Sequence, residues 1–264
     1  MSWIITGTQR YQPDALLDQY PGAAAAYSLR NLVGTSNPAV VRVRRDNDNS
    51  EADFTATEVS DGTLAAWVGA GNDGFVRTWY DQSGNSQDAI QLTAANQPKI
   101  VDSASGLILE NGKPGVSFDG SDDFLQAASV SVSQPATIVT VAKKLNPSHY
   151  FDGATSRITL FGSTTELYFI AGASQIGPVN INTAAQFLFF VTADTTDTVF
   201  ANSSQQLSGN AGSAALTSLL LGRQTTGLNY ANQIMQDFII YPNNQSANRA
   251  SIEANINAHY SIYP

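Results

Sequence analysis

The sequence predicts an all-β sandwich, and three observations carry that prediction. The first is composition: 42% of the 264 residues are hydrophobic but only 13% are charged, about half the usual charged share. Polarity comes instead from Ser, Thr, Asn and Gln, whose side chains bond nearby backbone outside helices and so favour strands and loops. The second is pattern, because short β-branched and aromatic runs recur between turn signals with no long helices interleaved. The third is length. A chain this long buries roughly 70–75% of the surface its unfolded form exposes, and one all-β domain of this size is ordinary.

The elements follow in order. Pro13 to Leu17 reads as one helical turn, with proline in its tolerated early place. Ala23 to Leu32 is a short helix or a strand with a small-residue face. Val40 to Arg44 alternates apolar and basic residues, the period of a half-buried strand, and the polar run Asp46 to Asp53 reads as a turn. Thr63 to Val68 suits one or two helical turns, stopped by Gly69-Ala70-Gly71-Asn72. Phe75 to Tyr80 is a strand that runs into the turn Asp81 to Asn85. Further strands are expected at 99–102, 115–119, 136–143, 157–162, 166–171, 186–193, 197–201, 217–223 and 233–241. At the end, Ile252, Ile256 and Tyr260 share one face of an amphipathic helix, with Asn244-Gln245-Ser246 as its start and Arg249 and Glu253 as a surface pair.

Charge and residue counts exclude several functions. With 13 basic against 22 acidic residues the net charge is -9, so the basic surface that nucleic-acid binding requires is lacking. No apolar run reaches the length of a membrane span. Cysteine is absent, which removes disulfides and thiolate metal sites, and His149 and His259 are the only histidines. Met1 to Gly7 has no basic segment followed by an apolar one, so no secretory signal is expected there.

Thr78-Trp79-Tyr80-Asp81-Gln82-Ser83-Gly84-Asn85, with Val40 to Arg45 before it and Ala94 to Val101 after it, resembles the catalytic domain of the arabinofuranosidase B family and its non-enzymatic relatives in phage and prophage structural proteins. Val116 to Leu125, and Leu221 to Tyr241 with the closing helix, are similar to the same superfamily. The resemblance spans residues 23–264 and leaves 1–22 as an N-terminal extension. It implies a concanavalin A-like, laminin G-like jelly roll with short N-terminal helical elements and a C-terminal helix. It further implies a non-enzymatic virion protein of a tailed phage or prophage: a tail-fibre, baseplate or capsid-decoration component with glycan-binding capacity, assembled in the host cytoplasm. Other virion subunits, a host-surface glycan and further copies of the chain are the partners this implies.

Candidate site residues follow. A carboxylate and two amides, Asp81, Gln82 and Asn85, suit sugar hydroxyls, and Trp79 or Tyr80 offers a stacking face, alternation placing those two rings on opposite sides. Asp119, Asp122 and Asp123 form an acidic turn able to hold Ca²⁺ or simply to accept backbone hydrogen bonds. An arabinofuranosidase reading, implied by the family, needs a Glu nucleophile and an Asp acid. Glu166 is the one glutamate on a middle strand, and beyond Gly222, where the acid is expected, the chain reads Arg223-Gln224-Thr225-Thr226. A third reading is a structural connector without sugar binding, held through residues 1–22 or an edge strand.

Overall fold

The computed structural model describes residues 15–163, 165–172, 174–182, 185–225 and 229–264. Its strands pair antiparallel throughout and form two packed layers. One layer runs Ser204–Gly209, Asp197–Ala201, Gln186–Ala193, Ala136–Lys144, Asn232–Tyr241. The far edge of Asn232–Tyr241 is shared by Val116–Asp119 and Ala25–Ser28, one against each half. The other layer runs Gln175–Asn180, Glu166–Ala171, Ile158–Gly162, Ser148–Ser156, Leu216–Leu221, Leu125–Val132. It continues through Ala89–Ile90, Gly74–Trp79 and Ala39–Arg45 to Glu51–Thr55. Lys99–Asp102 pairs with both Val116–Asp119 and Gly74–Trp79, so hydrogen bonding is continuous and 19 strands form one sheet folded on itself. This is a jelly-roll sandwich.

Between the layers lies a core of wholly buried rings and aliphatic side chains, including Tyr27, Trp79, Phe118, Phe151, Phe169 and Phe238. Alternation along each strand puts these inward. A second apolar cluster lies outside the first layer: Ile252, Ile256 and Tyr260 of the helix Arg249–Tyr260 cover Val139, Leu188, Ile239 and Tyr241 of the sheet. Leu16 and Leu17, from the helical turn Leu16–Gln19, are buried in that same cluster. Residues 15–22 of the N-terminal extension therefore pack on the body, while Trp3, Ile4, Ile5 and Tyr11 lie outside the described residues.

Several local expectations change. Ala23 to Leu32 resolves to the strand Ala25–Ser28, in which the small Ala25 and Ala26 pair with Ile240 and Ile239 across the ladder. The polar run after Arg45 is a turn only at first; Glu51–Thr55 is a strand, with Arg42 and Arg77 facing Asp53 and Glu51. Thr55 then caps the helical turn Ala56–Ser60 in a reciprocal box with Glu58. Arg44 is buried and donates to Gln97, Asn49 and the Ala94 carbonyl. Glu253 is buried rather than a surface residue, accepting from Arg249 and from the Ser203 hydroxyl.

Candidate functional site

The loop after Gly74–Trp79 is a clasp. Asp81 Oδ1 accepts from the Ala26 and Ser83 amides at 2.8 Å each, and Oδ2 accepts from the Ser83 hydroxyl at 2.7 Å and the Gln87 amide at 3.0 Å. Gln82 is buried; its Oε1 accepts from the Leu32 amide, and its Nε2 donates to the Ser28 and Arg30 carbonyls. Asn85 Nδ2 donates to the Ala23 carbonyl at 2.9 Å. Gly84, at φ +88°, supplies the left-handed residue that lets the loop turn back. These side chains hold the edge segment 23–32 to the sheet by main-chain bonds. Trp79 is wholly buried against Tyr27 with no face for a ligand, so the stacking role expected of it is corrected. Tyr80, on the opposite side, is half-buried and donates to Asp53.

The acidic turn is compact. Carboxylate oxygens of Asp119, Asp122 and Asp123 lie within 4.8 Å of one another, a spread that one Ca²⁺ with oxygens at about 2.3–2.6 Å can span. Burial pushes the Asp123 carboxyl up to about 7, and the charges of Asp119 and Asp122 add to that. Asp119 Oδ1 also accepts from the Ser121 amide, and Asp123 from the Asp119 amide.

Glu166 begins a different arrangement on the outer face of the second layer. Its Oε2 accepts from the Tyr168 hydroxyl at 2.9 Å. Tyr168 lies opposite Phe161, and Phe161 opposite His149, on three neighbouring strands. Directly opposed residues are close enough for their rings to meet. Phe161 and Tyr168 stack at 4.8 Å and 15°, and His149 and Phe161 at 5.0 Å and 16°. Leu160, Leu167 and Phe169, which alternate with them, point into the core. Phe161 and Tyr168 are half-buried, so part of each ring meets solvent.

A charged group closes the other end of this ladder. Arg157 donates to both oxygens of the buried Asp152, at 3.0 and 3.1 Å, and its Nη2 lies 3.1 Å from His149 Nε2. A guanidinium has no acceptor, so Nε2 is the lone-pair nitrogen and the proton of the neutral ring sits on Nδ1. That Nδ1 is buried without a hydrogen-bond partner. Burial, then the charges of Arg157 and Lys144, push the imidazole down to about 3. Lys144 is itself buried; its amine donates to the Ser148 and Gly162 carbonyls and is pushed down to about 7 by burial.

The loop from Gly222 covers Asp152. Thr225 donates its amide to Asp152 Oδ2 at 3.1 Å and its hydroxyl to the Ala154 carbonyl at 2.6 Å. Gly222 is required where the loop departs: at φ +88°, a Cβ there would sit 2.2 Å from the Phe118 ring. Next to it the Arg223 guanidinium lies 3.8 Å over the Phe124 ring. The register Ile90–Gln126–Leu220–Asp152 carries the same outer face across four strands to Ile90, 38% exposed, beyond which Leu92 is 69% exposed.

Of the candidate site residues named from the sequence, Glu166 alone adjoins this ladder. His149 is on the strand Ser148–Ser156. Phe161 and Tyr168 were legible as outward residues from the alternation in Ile158–Gly162 and Glu166–Ala171; that they meet depends on strand register, which no local pattern encodes.

No protein-family model matches the chain, and no curated protein sequence matches it. Solved structures do. A GH54 α-L-arabinofuranosidase soaked with a cyclic sulfate inhibitor is similar over 96% of this chain, with TM-score 0.70 and 16% identity. An arabinofuranosidase complexed with arabinofuranosyl-α-1,2-xylobiose is similar over 93%, with TM-score 0.68 and 16% identity. This chain spans 66% and 64% of those two chains. A heptameric SAP-like pentraxin from Limulus polyphemus is similar over 55% of this chain and 82% of its own, with TM-score 0.42 and 16% identity. The chain shares the β-sandwich fold of those arabinofuranosidase structures.

Proposed function

We propose that this chain is a saccharide-binding module that does not hydrolyse its ligand, carried on a virion of a tailed phage or prophage. The observation that carries the binding reading is the ladder His149–Phe161–Tyr168, whose Phe161 and Tyr168 rings partly meet solvent between the Arg157 guanidinium and the Glu166 carboxylate. Phe161 spends both faces on its neighbours, so a ligand meets its edge. Ring edges are the positive rim of the quadrupole and suit the lone pairs of sugar hydroxyls, while Arg157 donates and Glu166 accepts at the two ends. The virion part of the reading is supported by the resemblance of Thr78 to Asn85 and its flanks to phage structural proteins.

The arabinofuranosidase alternative is supported by the likeness of fold and by the same resemblance of Thr78 to Asn85 and its flanks. Retention requires two carboxyl groups about 5 Å apart. Asp152 and Glu166 instead stand beyond opposite ends of a three-ring stack.

The test is calorimetric titration with arabinofuranosyl-α-1,2-xylobiose and a panel of neutral oligosaccharides, with release of free arabinose followed in parallel. Binding by the wild type, weakened about tenfold or more in Tyr168→Ala and Arg157→Ala, is expected, without release. Affinity unchanged in both variants would remove the ladder from the reading, and arabinose release lost in Glu166→Gln would replace it with hydrolysis.

A further inference from the structure

A cavity of about 840 Å³ opens between segment 29–37, the helical turn Ala56–Ser60, segment 107–114 and the end of the helix Arg249–Tyr260. That volume falls within the range of small-molecule sites, about 300–1,000 Å³. Its charge runs against the rest of the chain. The protein carries a net -9, yet among the described residues that line the cavity there is no carboxylate, while Arg30, Lys113 and His259 are present.

Arg30 is held in place. Its guanidinium is ion-paired with the buried carboxylate of Asp237, with Nε and Nη2 each 3.3 Å from Oδ2, and its Nη1 donates to Asn255 at 3.2 Å. Lys113 makes no ion pair among the described residues, so its charge is not matched within them. Both cations act at one spot: after burial, Arg30 and Lys113 are what push the His259 imidazole down, to about 3. The remaining lining divides into amide and hydroxyl groups at Asn31, Ser36 and Asn37 and an apolar wall that includes Leu109, 50% exposed.

We infer that this cavity binds an acidic saccharide, its carboxylate placed between Arg30 and Lys113 and its ring against the Leu109 wall. A lone inorganic anion would use the cations but leave most of the volume and the apolar wall without a partner. The inference does not rest on the ring ladder, which is built from other strands.

Tri-galacturonate and its neutral counterpart xylotriose are the probes, titrated into the wild type, Lys113→Glu, Lys113→Gln and Tyr168→Ala, each first shown to melt cooperatively. Tri-galacturonate is expected to bind the wild type and Tyr168→Ala alike. Its Kd should rise about tenfold or more in Lys113→Glu, less in Lys113→Gln, and should rise with added salt as exposed charges are screened. Absence of tri-galacturonate binding, or a Kd the same in Lys113→Glu as in the wild type, would overturn the site. Loss of that binding in Tyr168→Ala would also overturn it, by moving the acidic ligand to the ladder.

Discussion

The two outer faces of the sandwich begin from similar strands and end differently. Over Ala136–Lys144, Gln186–Ala193 and Asn232–Tyr241, the outward residues are Val139, Leu188, Phe190, Ile239 and Tyr241, all buried under Ile252, Ile256 and Tyr260 of the terminal helix and Leu16 and Leu17. Over Ser148–Ser156, Ile158–Gly162 and Glu166–Ala171, the outward residues are His149, Phe161, Tyr168 and Glu166, and the two phenyl-type rings stay half-exposed. The first face is largely apolar and covered, so its contribution is burial, about 25 cal/mol per Å² of apolar area removed from water. The second pairs aromatic rings with charges at either end, a mixture that burial penalises and that a polar ligand can use. The covered layer is stabilised by burial, and the uncovered one leaves rings and charged groups at the surface.

Three measurements would break or sharpen that contrast. The largest effect belongs to the covered face: Ile256→Ala should cost about 3 kcal/mol in urea unfolding, since a wholly buried aliphatic side chain leaves a cavity. A loss below about 1 kcal/mol would mean that the helix is not part of the folded layer.

Acid should probe the open face. The His149 ring sits near 3 in the folded state against about 6.5 unfolded. Between those values the unfolded chain holds a proton that the folded chain does not, so stability falls as pH falls below 6.5. By pH 5 the loss from this residue is on the order of 2 kcal/mol. His149→Phe, which keeps a ring on Phe161, should flatten that part of the pH–stability curve, and an unchanged curve would contradict a buried neutral imidazole.

The smallest effect is on stability at the ladder. Tyr168→Ala should cost no more than about 1 kcal/mol, the scale of one cross-strand aromatic pair, while its effect on ligand affinity is larger. A cost of several kcal/mol would make the ladder a structural element like the covered face.

Much of this was legible beforehand where a run is long and its residues agree. Gln186–Ala193 is almost continuously apolar and Asn232–Tyr241 is so from Phe238 onward, and both strands were expected. Leu125–Val132 was not, because Ala and Ser at its outward positions weaken the alternation. Gln175–Asn180 was missed because it contains Gly177 and Pro178; proline is tolerated there since the strand pairs on one side only. Asp81, Gln82 and Asn85 were noticed for the right chemistry, a carboxylate and two amides. Their partners, the main-chain groups of residues 23–32, are 50 or more positions away in the chain, so no local pattern could show that the bonding capacity was already used.

By itself the sequence determined the class of fold, the closing helix with its buried face and the absence of thiolate chemistry. Those depend on composition and on periodicity within one element, which the chain displays along its own length. The tertiary structure decided which outward residues meet, which face is covered and where charge accumulates. His149, Phe161 and Tyr168 become a ladder through register alone, and Arg30, Lys113 and His259, from three distant stretches, come to line one cavity through the packing of the terminal helix. A one-residue slip in pairing would send each ladder ring to the opposite face, and that choice is settled by how well the whole core packs.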